Sequence, residues 1–297
     1  MPIPMPTTIQ SKRKASEKEN NGDKNTKRAH YSMFDDITVG GRTLLQYECL
    51  MGHTKAVSRL LDEDANANMD EVLHFACLRG KIGIVTLLLD RGAHVNEQDD
   101  DGQAPLHLVC MRGHTDIATL LFDRNAQVNI RTKIGSTPLY IACLRGHTGM
   151  ATLLLGRGAQ VDETDNYGQT PLHVACMRRH TDIVNLLLTH DANVHVVDVY
   201  GGTPLHEACR RGYKDVVSLL LVCGAGVDQV AVYKKRTPLH LACRGGHKDV
   251  VTLLLDCGVA QVNIRDEDGK TPLDVARDGG HTDIASLISG QNMFRVE

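Results

Sequence analysis

Tryptophan is absent from this chain of 297 residues, and with four Phe and seven Tyr the aromatics amount to 4%. A core built on large rings is therefore excluded, and Leu, Val, Ile, Ala and Cys must fill it. Long apolar runs are missing as well. The densest stretch, Ile84-Val85 followed by Leu87-Leu88-Leu89, falls far short of the ~20 residues that a membrane-spanning helix needs. Neither charge dominates: 33 Lys and Arg face 36 Asp and Glu, a formal −3. That balance argues against a nucleic-acid partner, because a polyphosphate normally selects a strongly basic surface. No apolar signal segment opens the chain, so it is expected inside the cell, in the nucleus or the cytoplasm. Its nine cysteines are then expected as thiols rather than bridges. There is no Gly-x-x-x-x-Gly-Lys-Ser/Thr loop, Gly-x-Ser-x-Gly elbow or His-Glu-x-x-His pair. No catalytic residue, cofactor or metal is expected.

What is present is a period. A shift of 33 residues aligns Ala104-Pro105-Leu106-His107 with Thr137-Pro138-Leu139-Tyr140, Thr170-Pro171-Leu172-His173 and Thr203-Pro204-Leu205-His206. Steps of 34 add Thr237-Pro238-Leu239-His240 and Thr271-Pro272-Leu273-Asp274, and two weaker copies begin at Thr43 and Glu71. A second motif follows each at fixed distance, as in Gly113-His114-Thr115-Asp116-Ile117. Such a period means stacked units rather than one globule. Eight units are read between Ile37 and Gly290.

Each unit reads as two short helices. Thr before Pro starts the first: the hydroxyl caps free N–H groups and Pro at the first helical position loses nothing. Gly113 suits the left-handed residue that ends it. Thr115 is expected to cap the second helix, with Asp116 near its positive end. Ile117, Leu120 and Leu121 then form an apolar stripe. The pattern Asp-x-x-Gly-x-Thr-Pro-Leu-His, Ala-x-x-x-Gly-His, Leu-Leu-Leu-x-x-Gly-Ala-x-Val-Asn resembles the ankyrin repeat, nearly complete at 165–198. The resemblance implies an all-α solenoid of antiparallel helix pairs joined by β-turn fingers. It also implies that fingers and first helices line a concave groove. The first and last units depart from the pattern, as capping units do. The finger of unit two is expected to be short, and that of unit seven, with Lys234-Lys235-Arg236 and one extra residue, to differ in shape.

Seven cysteines share one repeat position: Cys49, Cys77, Cys110, Cys143, Cys176, Cys209 and Cys243. Packed helices put such positions about 8–10 Å apart, beyond the ~7 Å limit for Cα atoms in a disulfide. They are read as small buried hydrophobes, and the matched pair Cys223 and Cys257 likewise. Eleven histidines form two columns, one headed by His74 and His107, the other by His53 and His114. No spacing gathers three or four of them as a zinc site requires. By resemblance, they hydrogen-bond backbone around turns and between units.

Recognition must then sit where the framework does not dictate the residue. Arg79, Arg112, Arg145, Arg178 and Arg211 form a basic column, with Met111, Leu144, Met177, Arg210 and Arg244 in the neighbouring position. Packing does not readily explain them, and the resemblance places them on the partner-facing inner helix. Tyr167, Tyr200 and Tyr233 form a second column, in the fingers. Arg, Tyr and Met are enriched at protein interfaces, and Arg grips carboxylate or phosphate through two parallel hydrogen bonds. A non-catalytic scaffold or adaptor holding an acidic or phosphorylated protein segment is the expected function. Two alternatives are a nuclear regulator of a transcription factor and the substrate-recognition subunit of a ubiquitin ligase. Residues 1–36 read as a disordered basic tail, 37–290 as the array and 291–297 as a short terminal tail. Within the first tail, Lys12-Arg13 and Lys24, Lys27 and Arg28 resemble a bipartite nuclear import signal, with importin as the implied partner.

Overall fold

The computed structural model describes residues 38–39, 42–64, 67–257 and 260–294, with side chains from 44 to 290. The import-like cluster of Lys12, Arg13, Lys24, Lys27 and Arg28 lies outside these residues, as does Gly258. A two-stranded antiparallel hairpin comes first, β1 (Thr38–Val39) against β2 (Arg42–Thr43), with Thr38 opposite Thr43. Sixteen α-helices follow among the described residues. They pair in order: α1 (Leu44–Met51) with α2 (Thr54–Glu63), α3 (Met69–Arg79) with α4 (Ile82–Asp90), α5 (Pro105–Arg112) with α6 (Thr115–Asp123), and α7 (Pro138–Arg145) with α8 (Thr148–Gly156). The second half continues with α9 (Pro171–Arg178) and α10 (Thr181–Thr189), α11 (Pro204–Arg211) and α12 (Lys214–Val222), α13 (Pro238–Gly245) and α14 (Lys248–Asp256), and α15 (Pro272–Asp278) with α16 (Thr282–Phe294).

The first helices start where the Thr-Pro pair says they should. Thr137 accepts a hydrogen bond from the Tyr140 N–H, and Thr170 from that of His173. The second helices start differently from expectation. Their cap position is taken by His114, His147, His180 or His247, with no side-chain cap bond, and the Thr or Lys is already the first helical residue. The Asp does serve the free helix end: Asp116 Oδ1 accepts from the Ile117 N–H at 2.9 Å.

From α3 to α13 a first helix ends on a left-handed residue, and the reason lies in the next unit. Gly146 has φ +79°, and a Cβ there would stand 2.6 Å from the His180 ring. The second histidine column therefore packs on the bare Cα of the preceding unit, and His147 and His247 donate Nε2–H to the carbonyls of Met111 (3.3 Å) and Arg210 (3.1 Å). The junction of units five and six breaks this rule on both sides. Arg179 replaces the Gly at φ 59°, and Tyr213 replaces the facing His. The Arg179 guanidinium then lies 5.4 Å over the Tyr213 ring and 3.4 Å from Asp215.

Leu106, Leu139, Leu172, Leu205 and Leu239 are buried to 1% exposure or less, and the seven column cysteines are fully buried beside them. This core is one continuous cluster from Leu45 to Ile288. No unit could bury both its helices alone, so stability comes from the stacking of neighbours. First helices of successive units pack closer to one another than second helices do. Cys223 and Cys257 correct the sequence reading: both are exposed, because they lie just past α12 and α14 rather than inside a helix interface. The last helix also runs beyond Gly290, to Phe294.

Candidate partner-binding face

Four of the fingers are turns built on one aspartate. Asp165 Oδ1 accepts from the N–H groups of Tyr167 and Gln169, both at 2.9 Å. Asp99, Asp198 and Asp266 repeat the arrangement. Successive fingers then join through backbone bonds, Asn166 N to Ile134 O (3.0 Å), Val199 N to Tyr167 O (2.9 Å) and Tyr233 N to Tyr200 O (3.0 Å). The tyrosines of the finger column are thereby held side by side and outward, at 55%, 58% and 64% exposure for Tyr167, Tyr200 and Tyr233.

The first histidine column fastens fingers to helices. His107 Nδ1 accepts from the Ala104 N–H at 3.0 Å, while Nε2–H donates to the carbonyls of Ile130 (3.1 Å) and Ser136 (3.2 Å) in the next unit. His173, His206 and His240 repeat the same reach, to Gly202, Arg236 and Lys270. Burial pushes the His107 imidazole down to about 4, even though its carbonyl partners oppose the shift. These rings are neutral structural links. Tyr140 reaches the same place by another route, its hydroxyl donating to Asp165 Oδ2 at 3.0 Å.

The inner-helix column divides into two kinds of residue. Leu78, Met111, Leu144 and Met177 are half-buried against the core, so packing accounts for much of their choice, contrary to the sequence reading. Arg79, Arg112, Arg145, Arg178, Arg211 and Arg244 are exposed, and Arg210 is half-buried and paired with Glu207. Arg79 lies 5.3 Å over the Phe75 ring. Arg112, Arg145, Arg178, Arg211 and Arg244 reach no carboxylate among the described residues. Five arginines elsewhere, Arg91, Arg124, Arg131, Arg179 and Arg236, each bridge to an acidic residue of an adjoining unit, while Arg157 lies over the Phe122 ring and Arg265 donates to the Gly269 carbonyl. From Arg112 to Arg244 the basic column is thus a row of exposed charges without carboxylate partners at first-helix ends, and three of the units also carry a finger tyrosine.

One cluster had no signal in the repeat. Asp70, His94 and Glu97 bring ligand atoms within 4.8 Å of one another. Asp70 is engaged by His94 through both oxygens, to the backbone N–H at 2.7 Å and to Nδ1 at 3.0 Å. The hydrogen bond to Asp70 raises the His94 pKa, and the contact ties the exit of α4 back to α3. Both partners fall in unit two, at positions where the other units carry neither residue, so no column marks them.

Helix pairs, joined fingers and a core continuous through the stack define a repeat scaffold whose variable residues face outward from a shared frame. A family model for ankyrin repeats in three copies matches residues 18–99, 73–165, 150–231 and 222–295. The chain belongs to the ankyrin repeat family, whose repeats are generally protein–protein interaction modules. Comparison with the curated proteins found no match. Among the described residues no helix is long and apolar enough to cross a membrane.

Proposed function

We propose that this protein is a non-catalytic scaffold that holds an acidic or phosphorylated protein segment along the first-helix side of its array. The observation that carries this reading is the row Arg112, Arg145, Arg178, Arg211 and Arg244, exposed and without carboxylate partners at one repeated helix-end position, while Arg91, Arg124 and Arg179 are paired between units. A guanidinium at a helix end gains something from the helix dipole, but that is worth only about 0.3–1 kcal/mol and does not select Arg over Lys. A fork of donors does select it, because it matches a carboxylate or phosphate in two bonds. Half-buried Met111 and Met177 beside the arginines add an adaptable apolar floor.

The array from Ile37 onward carries −5, since residues 1–36 hold +2 of the chain's −3. The basic row is local, which suits a segment with matching local charge more than a long phosphate backbone. Capture from lysate with Arg112→Glu, Arg145→Glu and Arg178→Glu combined is expected to lose partners that the wild type retains. Full retention refutes the reading. The basic pairs at Lys12-Arg13 and Lys27-Arg28 are proposed as an import address read by importin. A reporter fusion should lose nuclear accumulation when all four are replaced by Ala.

A further inference from the structure

The finger of unit seven departs from the others at its root. Ala231 stands where Asp165, Asp198 and Asp266 stand in neighbouring units, so the carboxylate that organises the turn is gone. The extra residue is taken up in a short 3-10 turn at Tyr233–Lys235, with Lys234 at φ 65° and Lys235 at φ 47°. Left-handed backbone at two consecutive lysines costs on the order of 1 kcal/mol each. The ladder bonds Ala231 N to Arg236 O (2.9 Å) and Tyr233 N to Tyr200 O (3.0 Å) hold it there.

The strained turn borders exposed apolar surface. Val199 is 57% exposed, Val232 77%, and the Tyr200 and Tyr233 rings meet edge to face at 6.2 Å. These four residues, with Lys234, Lys235 and Glu267, line an open concavity of about 540 Å³. Large apolar side chains this exposed, gathered on one rim, mark contact surface rather than incidental exposure. The charge beside them is positive on balance, two lysines against Glu267. Lys234 stands 3.9 Å from Glu267 and 5.8 Å over the Tyr233 ring, while Lys235 reaches no carboxylate among the described residues.

We infer that this concavity docks an acidic protein segment through one apolar or aromatic side chain, set against Tyr200, Tyr233, Val199 and Val232, with Asp or Glu of the segment facing Lys234 and Lys235. The inference deepens the scaffold reading by adding an anchor site, and it does not depend on the arginine row. A single-stranded nucleic acid is a poorer match. Base stacking needs open ring faces, whereas Lys234 lies over the Tyr233 ring, the Tyr200 and Tyr233 rings meet edge to face, and two valines and Glu267 complete the lining.

Displayed random peptides of about 16 residues, selected on the full chain, supply the probe, and anisotropy titration of the enriched peptide supplies the measurement. The enriched sequences are expected to set Asp or Glu around a Leu, Phe, Tyr or Trp. Tyr200→Ala with Tyr233→Ala should raise Kd by about tenfold or more, as loss of an aromatic anchor does. Lys234→Glu with Lys235→Glu should weaken the acidic peptide comparably and select basic flanks in a fresh selection. All four side chains are exposed or half-exposed, so the variants should melt with the wild type. No enrichment, enriched peptides lacking an apolar residue, or a Kd within about threefold of wild type for the Tyr pair overturns the anchor. Tighter binding of an oligouridine than of the peptide overturns it too. Loss of binding in the Arg112/Arg145/Arg178→Glu variant alone would reject the anchor and keep the groove reading; loss in the finger variants alone would do the reverse.

Discussion

A cysteine's position in the unit decides its chemistry. The seven column thiols are buried, and burial pushes Cys49 and Cys243 up to about 12 and the others higher still. Thiolate is the reactive form, so these groups are inert in the folded chain. Cys223 and Cys257 are exposed. Thiol titration under native conditions at about pH 8 should therefore count two fast groups of nine, and nine in denaturant. Cys223→Ser with Cys257→Ser should abolish the fast phase; a fast phase that survives would show that the column is open. Glycine gives a second contrast within one unit. Gly146→Ala forces a Cβ to 2.6 Å from the His180 ring at φ +79°, an overpacked and left-handed change that should cost roughly 2–3 kcal/mol. Gly149→Ala, three residues on, sits inside α8 with nothing within 4 Å and should stabilise by about 0.5–1 kcal/mol. Urea midpoints of the two variants should move in opposite directions.

Elements whose cause is local are legible in the sequence. The start of α7 at Thr137-Pro138 and its end at Gly146 follow from one hydroxyl, one ring and one missing Cβ, all within the segment itself. What depends on a neighbouring unit is not legible. Thr115 has the chemistry of a cap, yet His114 takes the cap position because its ring must pack on Gly80 of the unit before, where a Cβ would meet it at 2.7 Å. Arg179 and Tyr213 are two separate departures in sequence and one contact in space. The arginine row is visible as a column in the sequence, but its lack of partners becomes visible only beside the paired Arg91, Arg124 and Arg236. The finger of unit seven announces its difference by its length. Its shape comes equally from Ala231, whose missing carboxylate leaves no acceptor for the turn N–H groups.

Across the whole array, the first histidine column makes stability depend on acid. Burial lowers the pKa of His107 to about 4 and also lowers those of His173, His206 and His240. In the unfolded chain these groups titrate near ~6.5. The folded state thus binds fewer protons between those limits, so their contribution is complete above pH ~7 and is lost as pH falls from ~6.5 toward the folded values. For His107 alone the loss at pH 5 is about 2 kcal/mol, at about 1.36 kcal/mol per pH unit. Carboxylates with depressed pKa, such as Asp266, where burial is outweighed by the Lys270 N–H and Arg236, act below their ordinary 3.8 and leave this window clear. The His94 contact with Asp70 has the opposite sign, but it is exposed and screened by solvent. Urea midpoints should fall from pH 7.5 to pH 5, and His107→Gln, whose amide can still donate to the Ser136 carbonyl, should flatten the slope. Tyr140→His inserts a titrating link at an interface that now holds through Asp165, and it should steepen the slope. Equal slopes in all three proteins would mean that acid acts elsewhere than at the joints between units.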